Sequence, residues 1–315
     1  MDYIHRGEFT TVKQFGGILY SLVSLAVFSE GKAVVYPVMN LGEDEYSNVT
    51  AFLKNFSNID LSYIRKVEHK TRVVNLFYKD KDSVLNVSVK KTYDREENST
   101  EPTLPVGYGH VKELLPNLDG ILINLVSGVD ITLQALQNIR KNFGGYIHMD
   151  LHNLVMFTYP DGRREQLPVK EWKEWTSVPD TLQMNESELN ILTGENVTEY
   201  DTAEKILNNG RTRSITVTRG RSGISLYILN KETNKIKRAD IQRIESTGFI
   251  DSTGCGDVFA SAFFYSNSIN KLNDLHTSVN YANKMASLNA SLHGVEDLPK
   301  LRIDNLTFGK GQGGV

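Results

Sequence analysis

Between residues 14 and 31, QFGGILYSLVSLAVFSEG, the apolar positions Ile18, Leu19, Leu22, Val23, Leu25 and Ala26 recur at helical spacing. They follow Gly16-Gly17, so the pattern predicts a helix entered through a glycine turn. A short strand, KAVVYPVM at 32–39, and a polar turn, NLGEDEY, come next. Over 61–92 the period changes to an alternation of polar and apolar residues broken by KDKDS, as in half-exposed antiparallel strands. The polar run DREENSTEPTLP closes that stretch as a linker. From about residue 110 the texture becomes strand, helix, strand. GILINLVSG, GYIHMDL, TLQMN, SITVT and the run before DSTGCGD are short apolar stretches bounded by turn residues. Helical segments such as ITLQALQNIRKNF and TAEKILNNG separate them, and buried parallel strands with crossover helices satisfy that order. No internal repeat is present, and GKGQGGV at 309–315 reads as a flexible tail.

Composition narrows this picture. The 315 residues carry 35 Lys+Arg against 38 Asp+Glu, a formal net charge of −3, with 40% hydrophobic residues. That is enough chain for one large α/β domain, and the interspersed, near-neutral charge argues against a nucleic-acid partner. No apolar run reaches the roughly 20 residues of a membrane span, and the first residues lack the apolar core of a secretory leader. The expectation is a cytoplasmic protein with no membrane partner. A single cysteine, Cys255, leaves stability to packing rather than to disulfides or a thiolate zinc cage.

The chemistry concentrates in FIDSTGCGDVFASAFFY at 249–265. A β-type run ending at Asp251 meets the turn Ser252-Thr253-Gly254-Cys255-Gly256, then a helix with an apolar face of Val258, Phe259, Ala262 and Phe263. Two glycines let backbone N–H groups converge, and the helix adds its unpaired first amides and the positive end of its dipole. Such a turn suits a phosphate. Asp257, in the first turn, suits a general base that takes a proton from an attacking alcohol. Read alone, Asp251 and Asp257 are equally well explained as turn and capping residues. Cys255 sits at the same helix start, where thiolate character is raised, so alkylation there is expected to block turnover.

The segment resembles the C-terminal signature of the ribokinase-like, or PfkB, family of carbohydrate kinases, with Ser252 and Cys255 as small replacements. Four further segments are similar to family elements in the same order. Gly16-Gly17 matches a sugar-contacting di-glycine, with Ser21 where relatives often carry asparagine. VMNLGEDEY places Asn40 and Gly42 toward the sugar, QMNESELNILTG carries an Asn-x-x-Glu element through Asn185 and Glu188, and ITVTRGRSGISLY places Thr218, Gly220 and Gly223 toward the phosphates of ATP. Asn185 and Glu188 can hold the water shell of Mg²⁺ and can also form a helix capping box, and both hold at once. The third glycine-bearing segment also reads as a plain β-hairpin.

The resemblance implies a ribokinase-like three-layer α/β/α sandwich, residues 1–315 forming a single kinase domain with a small β-sheet lid from about 38–50 and 61–105. It implies ATP-dependent phosphorylation of a hydroxyl on a sugar or sugar-like substrate, with the amides of Gly254, Cys255 and Gly256 as an anion hole and Asp257 as base. ATP and Mg²⁺ are the implied cofactors, with K⁺ near Asp251 as some relatives use, and Asn283 and Gly294 in the region that lines adenine. The lid would exclude water and offer a homodimer contact. The family opens with a core strand ending in a sugar-binding aspartate; here that strand is nearly absent, and Asp2 is the residue in place. Asn124, Asp150 and His152 stand at the ends of strands where open α/β sheets bind ligands. Thr71 and Asn75 are expected to point inward from the lid. WKEW at 172–175 reads as a core anchor. A nucleoside kinase, with Phe15, Tyr20 and Tyr78 as a base slot, and a catalytically silent relative remain alternatives.

Overall fold

The computed structural model describes residues 1–6, 10–78, 95–100, 104–246, 248–271 and 274–302. The chain opens with β1 (Asp2–Arg6), antiparallel to β2 (Thr10–Gln14). After α1 (Ile18–Phe28), β3 (Met39–Gly42), α2 (Glu43–Leu53) and β4 (Ile64–Val67), the chain returns to β1 through β5 (Val74–Tyr78), which β6 (Arg95–Ser99) flanks. These strands form a four-stranded sheet in the order β2-β1-β5-β6, with β1 and β5 parallel. Alternation sorts its faces. Ile4 pairs with Leu76 and both are buried, whereas His5 pairs with Phe77 and the two rings stack at 4.4 Å on the other face.

The second half builds the main sheet. Its elements are β7 (Gly120–Asn124), α3 (Leu133–Asn142), β8 (Tyr146–Asp150), the short hairpin β9 (Met156–Thr158) and β10 (Arg164–Gln166), α4 (Trp172–Ser177), β11 (Thr181–Asn185) and α5 (Glu186–Leu192). Then come α6 (Glu199–Leu207), β12 (Ser214–Thr218), β13 (Ile224–Asn230), β14 (Lys235–Ile241), α7 (Cys255–Phe264) and α8 (Leu275–Asn289). Six strands run in the order β14-β13-β12-β11-β8-β7, with β7, β8, β11 and β12 parallel and the last two antiparallel.

Helices cover both faces. On one, Leu22, Phe259, Phe263, Val279 and Met285 of α1, α7 and α8 pack on Leu226. On the other, Leu136, Trp172, Trp175, Leu189 and Ile206 of α3 to α6 pack on Ile147, Met149 and Leu182. Ile147 and Met149 face one layer while His148, between them, stacks toward Phe263 of α7, so β8 is covered on both sides and reads as a continuous apolar run. The tryptophans of WKEW are core anchors. Among the described residues no helix is long and apolar enough to cross a membrane.

Four expectations change. Residues 38–50 are not lid: they form β3 and the start of α2, whose Val49 and Leu53 are buried against α1 in the core. β4 is parallel to β3, because it follows a crossover helix rather than a hairpin. Residues 249–251 form no strand; the N–H groups of Ile250 and Asp251 both donate to the Ala290 carbonyl, so this run is tied to the end of α8 and not to a sheet. A strand does open the chain, β1, but it belongs to the four-stranded sheet, and among the described residues no strand of the main sheet precedes β7. Residues 79–94 and the tail at 309–315 lie outside the described residues.

Candidate active site

The main sheet, the lid and the start of α7 enclose one cavity of about 2040 Å³. Asp257 stands at its floor. Gly254, with φ +75°, caps α7, and a Cβ there would meet the Tyr20 ring at 2.1 Å, so only glycine allows both the left-handed turn and the contact. Gly254 and Gly256 line the cavity; Cys255, expected between them in the anion hole, does not, and its N–H donates to the Ser252 carbonyl at 3.2 Å. Asp257 is itself buried, and Asn124 Nδ2 at the end of β7 donates to its Oδ1 at 2.6 Å. Ser21 Oγ in α1 lies 3.3 Å from the same oxygen, and Asn124 Nδ2 also reaches Ser21 Oγ at 2.6 Å. Three elements thus fix one carboxylate. Burial pushes the Asp257 carboxyl up to about 7, against the lowering effect of the Asn124 and Ser21 hydrogen bonds and with the Asp2 charge adding to the rise.

Asp2 enters from the lid side. A Cβ on Gly16 would fall 1.8 Å from Asp2 Oδ2, so the first glycine of the pair makes room for that carboxylate. Gly17 caps α1 and lines the cavity with Ser21. Asn40 lines it as well while donating to the Leu104 carbonyl at 2.8 Å, and Gly42 sits against Thr71.

Across the floor, Asp150 at the end of β8 and Glu188 in α5 face the same space. Burial raises Asp150 well above the usual carboxylate range, with the Glu188 and Asp257 charges adding, and burial lifts Glu188 to about 8. Asn185 and Glu188 form the reciprocal cap of α5: Glu188 N–H donates to Asn185 Oδ1 at 2.9 Å, and Asn185 N–H donates to Glu188 Oε2 at 2.7 Å. Among the described residues no three His, Cys, Asp or Glu side chains stand together as a direct metal site. The donor set nevertheless suits a cation that keeps its water: Asp150 Oδ2 is buried without a hydrogen-bond partner, beside the desolvated Glu188.

Thr218 and Gly220 line the far end, where β12 turns into β13. Other assigned residues lie elsewhere. Gly223 packs on the Ile241 carbonyl at the base of that hairpin, Asn283 donates to the Gln242 carbonyl at 2.8 Å, Gly294 faces Gln14, and none of the three lines the cavity. Asp251 Oδ1 accepts from Thr253 N–H and Oγ1 in a local turn. The expected reactive thiolate is corrected: Cys255 receives an Asn289 hydrogen bond at 3.4 Å, but burial pushes its thiol up to about 11, outweighing that bond, with Asp251 and Asp257 nearby. The inward pair from the lid is also revised. Thr71 lines the cavity as expected, with its hydroxyl donated to Asp44 Oδ1, but Asn75 lies on the His5 face, bonded to Asn98 and His5. Tyr20 lines the cavity from beneath Gly254, while Phe15 stacks on Phe52 at 4.8 Å away from it; the side chain of Tyr78 lies outside the described residues. His148 is sealed in the core and bonded to Thr181, and burial pushes its pKa down to about 3, whereas His152 opens the short turn after β8 and lines the cavity, as expected from its place at the strand end.

The structure adds residues that no motif signalled. Arg72 faces the cavity, donating to the Val126 carbonyl at 2.8 Å, and Arg164 and Glu97 form an ion pair nearby. Gln183 ties β11 to the start of α7 through the Gly256 carbonyl at 2.9 Å. Arg219 joins Glu199 at the donor end. Arg164 sits in a hairpin with no sequence signal of its own.

This geometry fits a known architecture. The pfkB family carbohydrate kinase model matches residues 31–301. The ribokinase of Thermotoga maritima is 18% identical with a TM-score of 0.70, over 98% of this chain and 96% of that one. An Arabidopsis thaliana ribokinase solved with ribose and ATP is 19% identical, also with a TM-score of 0.70, over 99% and 96%. A pyrophosphate-dependent kinase of the ribokinase family, solved with sulfate, is 14% identical with a TM-score of 0.71, over 94% and 95%. No curated protein sequence matches the chain. With the family model covering most of its length and the ribokinase fold shared end to end, this chain belongs to the pfkB family of carbohydrate kinases.

Proposed function

We propose that the protein transfers the terminal phosphoryl group of ATP to a hydroxyl of a sugar or sugar-like alcohol, with Asp257 as the general base. The observation that carries this reading is a buried carboxylate held by Ser21 and Asn124 at the start of α7, raised to about 7 and facing the cavity. A base with that pKa is poised to accept a proton at neutral pH. The acceptor lies between Asp2, Asn40 and Asn124 with its hydroxyl against Asp257. As the hydroxyl oxygen attacks the terminal phosphorus, its proton passes to the Asp257 carboxylate, the oxygen–phosphorus bond forms and the bond to the leaving nucleotide diphosphate breaks. The amides of Gly254 and Gly256 and the dipole of α7 meet the charge on the transferring oxygens.

Asn185, Glu188 and Asp150 would hold Mg²⁺ through its water, and the ion supplies neutralisation of the donor's phosphate charge. The lid closes over the acceptor, and Arg72 orients its mouth. K⁺ beside Asp251 belongs to the same reading.

The test is a transfer screen of pentoses, hexoses, sugar phosphates and nucleosides, each with ATP and with pyrophosphate as donor. The expected result is turnover of one polyol class with ATP, abolished by Asp257→Asn. Binding of ATP by calorimetry with no acceptor turned over would overturn the reading in favour of a silent relative.

A further inference from the structure

Two arginines reach the cavity from segments that no motif marks. Arg72 precedes β5, and Arg164 opens β10, the second strand of the hairpin that follows β8. Both heads rest on one strand of the four-stranded sheet: Arg72 Nη2 donates to Ser99 Oγ at 3.3 Å, and Arg164 pairs with Glu97. Residues 97 and 99 of β6 stand on one face, about 7 Å apart. It is the face that Glu97 and its ladder partner Leu76 turn to the cavity. The hairpin is tied to the same place, since Ser99 N–H donates to the Gly162 carbonyl at 3.3 Å.

The charges around this pair are not closed. Glu97 is the counter-ion of the buried Arg164, whereas Arg72 has no ion pair among the described residues and gives Nη1 to the Val126 carbonyl at 2.8 Å. Asp130, the nearest other carboxylate in its effect, is engaged with its own turn, its Oδ2 accepting from the N–H groups of Ser127 and Gly128 at 2.8 and 3.1 Å; Asp2 lies against Gly16. Burial and the Arg164 charge push the Arg72 guanidinium down to about 10, against the opposing effect of Asp130, Asp2 and Glu97. A cation that is desolvated, beside a second cation, and bonded only to a carbonyl and a hydroxyl gains most from an oxyanion. Its distance from the base also suits one sugar. Asn124, which donates to Asp257, ends β7, and Val126, which accepts from Arg72, lies two residues on, at most about 7 Å along an extended chain.

We propose that Arg72 and Arg164 form an oxyanion subsite, and that the acceptor is a sugar carrying one terminal anionic group, a phosphate ester or a carboxylate, at the far end from the hydroxyl that is phosphorylated. This rests on the phosphoryl-transfer reading and narrows its acceptor. Two guanidiniums anchored about 7 Å apart bracket one such group with charge-assisted hydrogen bonds. A neutral sugar would cover Arg72 and offer it no charge, so the pair selects between acceptors as well as binding one.

The test compares matched acceptors with ATP: ribose against ribose 5-phosphate, fructose against fructose 1-phosphate and fructose 6-phosphate, and glucose against gluconate. The expected result is a kcat/KM about 100-fold or more higher for an anionic sugar than for its neutral partner, with the phosphate and carboxylate arms telling the two groups apart. Arg72→Met should cut that ratio by about tenfold or more, and Arg72→Lys, which keeps the charge and loses the planar fork, by less. A neutral sugar turned over as well as its anionic partner overturns the proposal and leaves phosphoryl transfer standing. So does an unchanged ratio in Arg72→Met, because a mere tie between Val126 and Ser99 acts on both acceptors alike. If no sugar is turned over, the transfer reading fails by itself, and calorimetry of the anionic sugars without donor decides on the subsite. Saturable binding that Arg72→Met abolishes supports it; binding unchanged in the variant, or none up to about 10 mM, overturns it.

Discussion

The two halves of the cavity are held by different means. The half assigned to the donor rests on the six-stranded sheet, where Asn185 and Thr218 stand at the ends of laddered strands and the Gly254 turn opens α7, all clamped between two apolar layers. The acceptor half rests on a separate two-stranded pair and a four-stranded lid, and its contacts are mostly single polar ties: Asn40 to Leu104, Thr71 to Asp44, Arg72 to Val126. Packing over-determines the first half, whereas removing one hydrogen bond can shift the second. Asp257 belongs to both, since its helix is packed in the donor half and its partner Asn124 ends the strand that borders the acceptor. The contrast predicts that donor-half substitutions cost stability or all turnover, and that acceptor-half substitutions change KM.

The largest expected effect is on turnover. Asp257→Asn should lower kcat by about 10³-fold while calorimetric ATP affinity stays within about threefold. The same change should raise Tm at pH 8. The sign follows from the folded carboxyl at about 7 against 3.8 for the model value: the folded state holds that proton more tightly, so its contribution to stability is present at low pH and is lost as pH rises through about 7. An uncharged amide avoids that loss. A lower Tm for the variant would contradict the assignment of burial as the dominant cause.

Next comes Gly254→Ala, which places a Cβ into the Tyr20 ring at a left-handed position and should destabilise by about 2–4 kcal/mol in denaturant unfolding. Arg72→Met should raise the acceptor KM by about tenfold and leave the ATP KM unchanged; equal changes in both would dissolve the division between the halves. The smallest effect belongs to Cys255→Ser, expected to retain turnover within about threefold, and the wild-type thiol should react with iodoacetamide at pH 7 more slowly than free cysteine.

The donor half was legible because its signals are local. FIDSTGCGDVFASAF writes turn, glycine and helix within a few residues, and the apolar runs at 120–125, 146–150, 181–185 and 214–218 are buried strands that carry no alternation to misread. The acceptor half depends on long-range pairing. β1 meets β5 some 70 residues later, in parallel, and nothing in DYIHR records that partner. Residues 38–50 looked like lid because the polar run NLGEDEY hides that its first three residues complete β3 and that α2 follows at once. Asn75 was placed inward by counting from Thr71, but the strand begins at Val74, and a shift of one residue moves every side chain to the other face. The Cys255 thiol failed for another reason: helix position alone favours thiolate, and burial, with the neighbouring carboxylates adding, raises the thiol in a way no linear motif shows.

The central claim is that Asp257 carries the proton of the transfer step, and the pH dependence of kcat at saturating ATP and acceptor, measured side by side for wild type and Asp257→Asn, tests it most directly. A base raised to about 7 must be ionised to act, so the wild-type rate should climb tenfold per pH unit below about 7 and level above it, while the residual rate of Asp257→Asn should be flat over the same range. The same inflection in both enzymes, or a wild-type rate that does not change between about pH 5 and 8, would contradict the account.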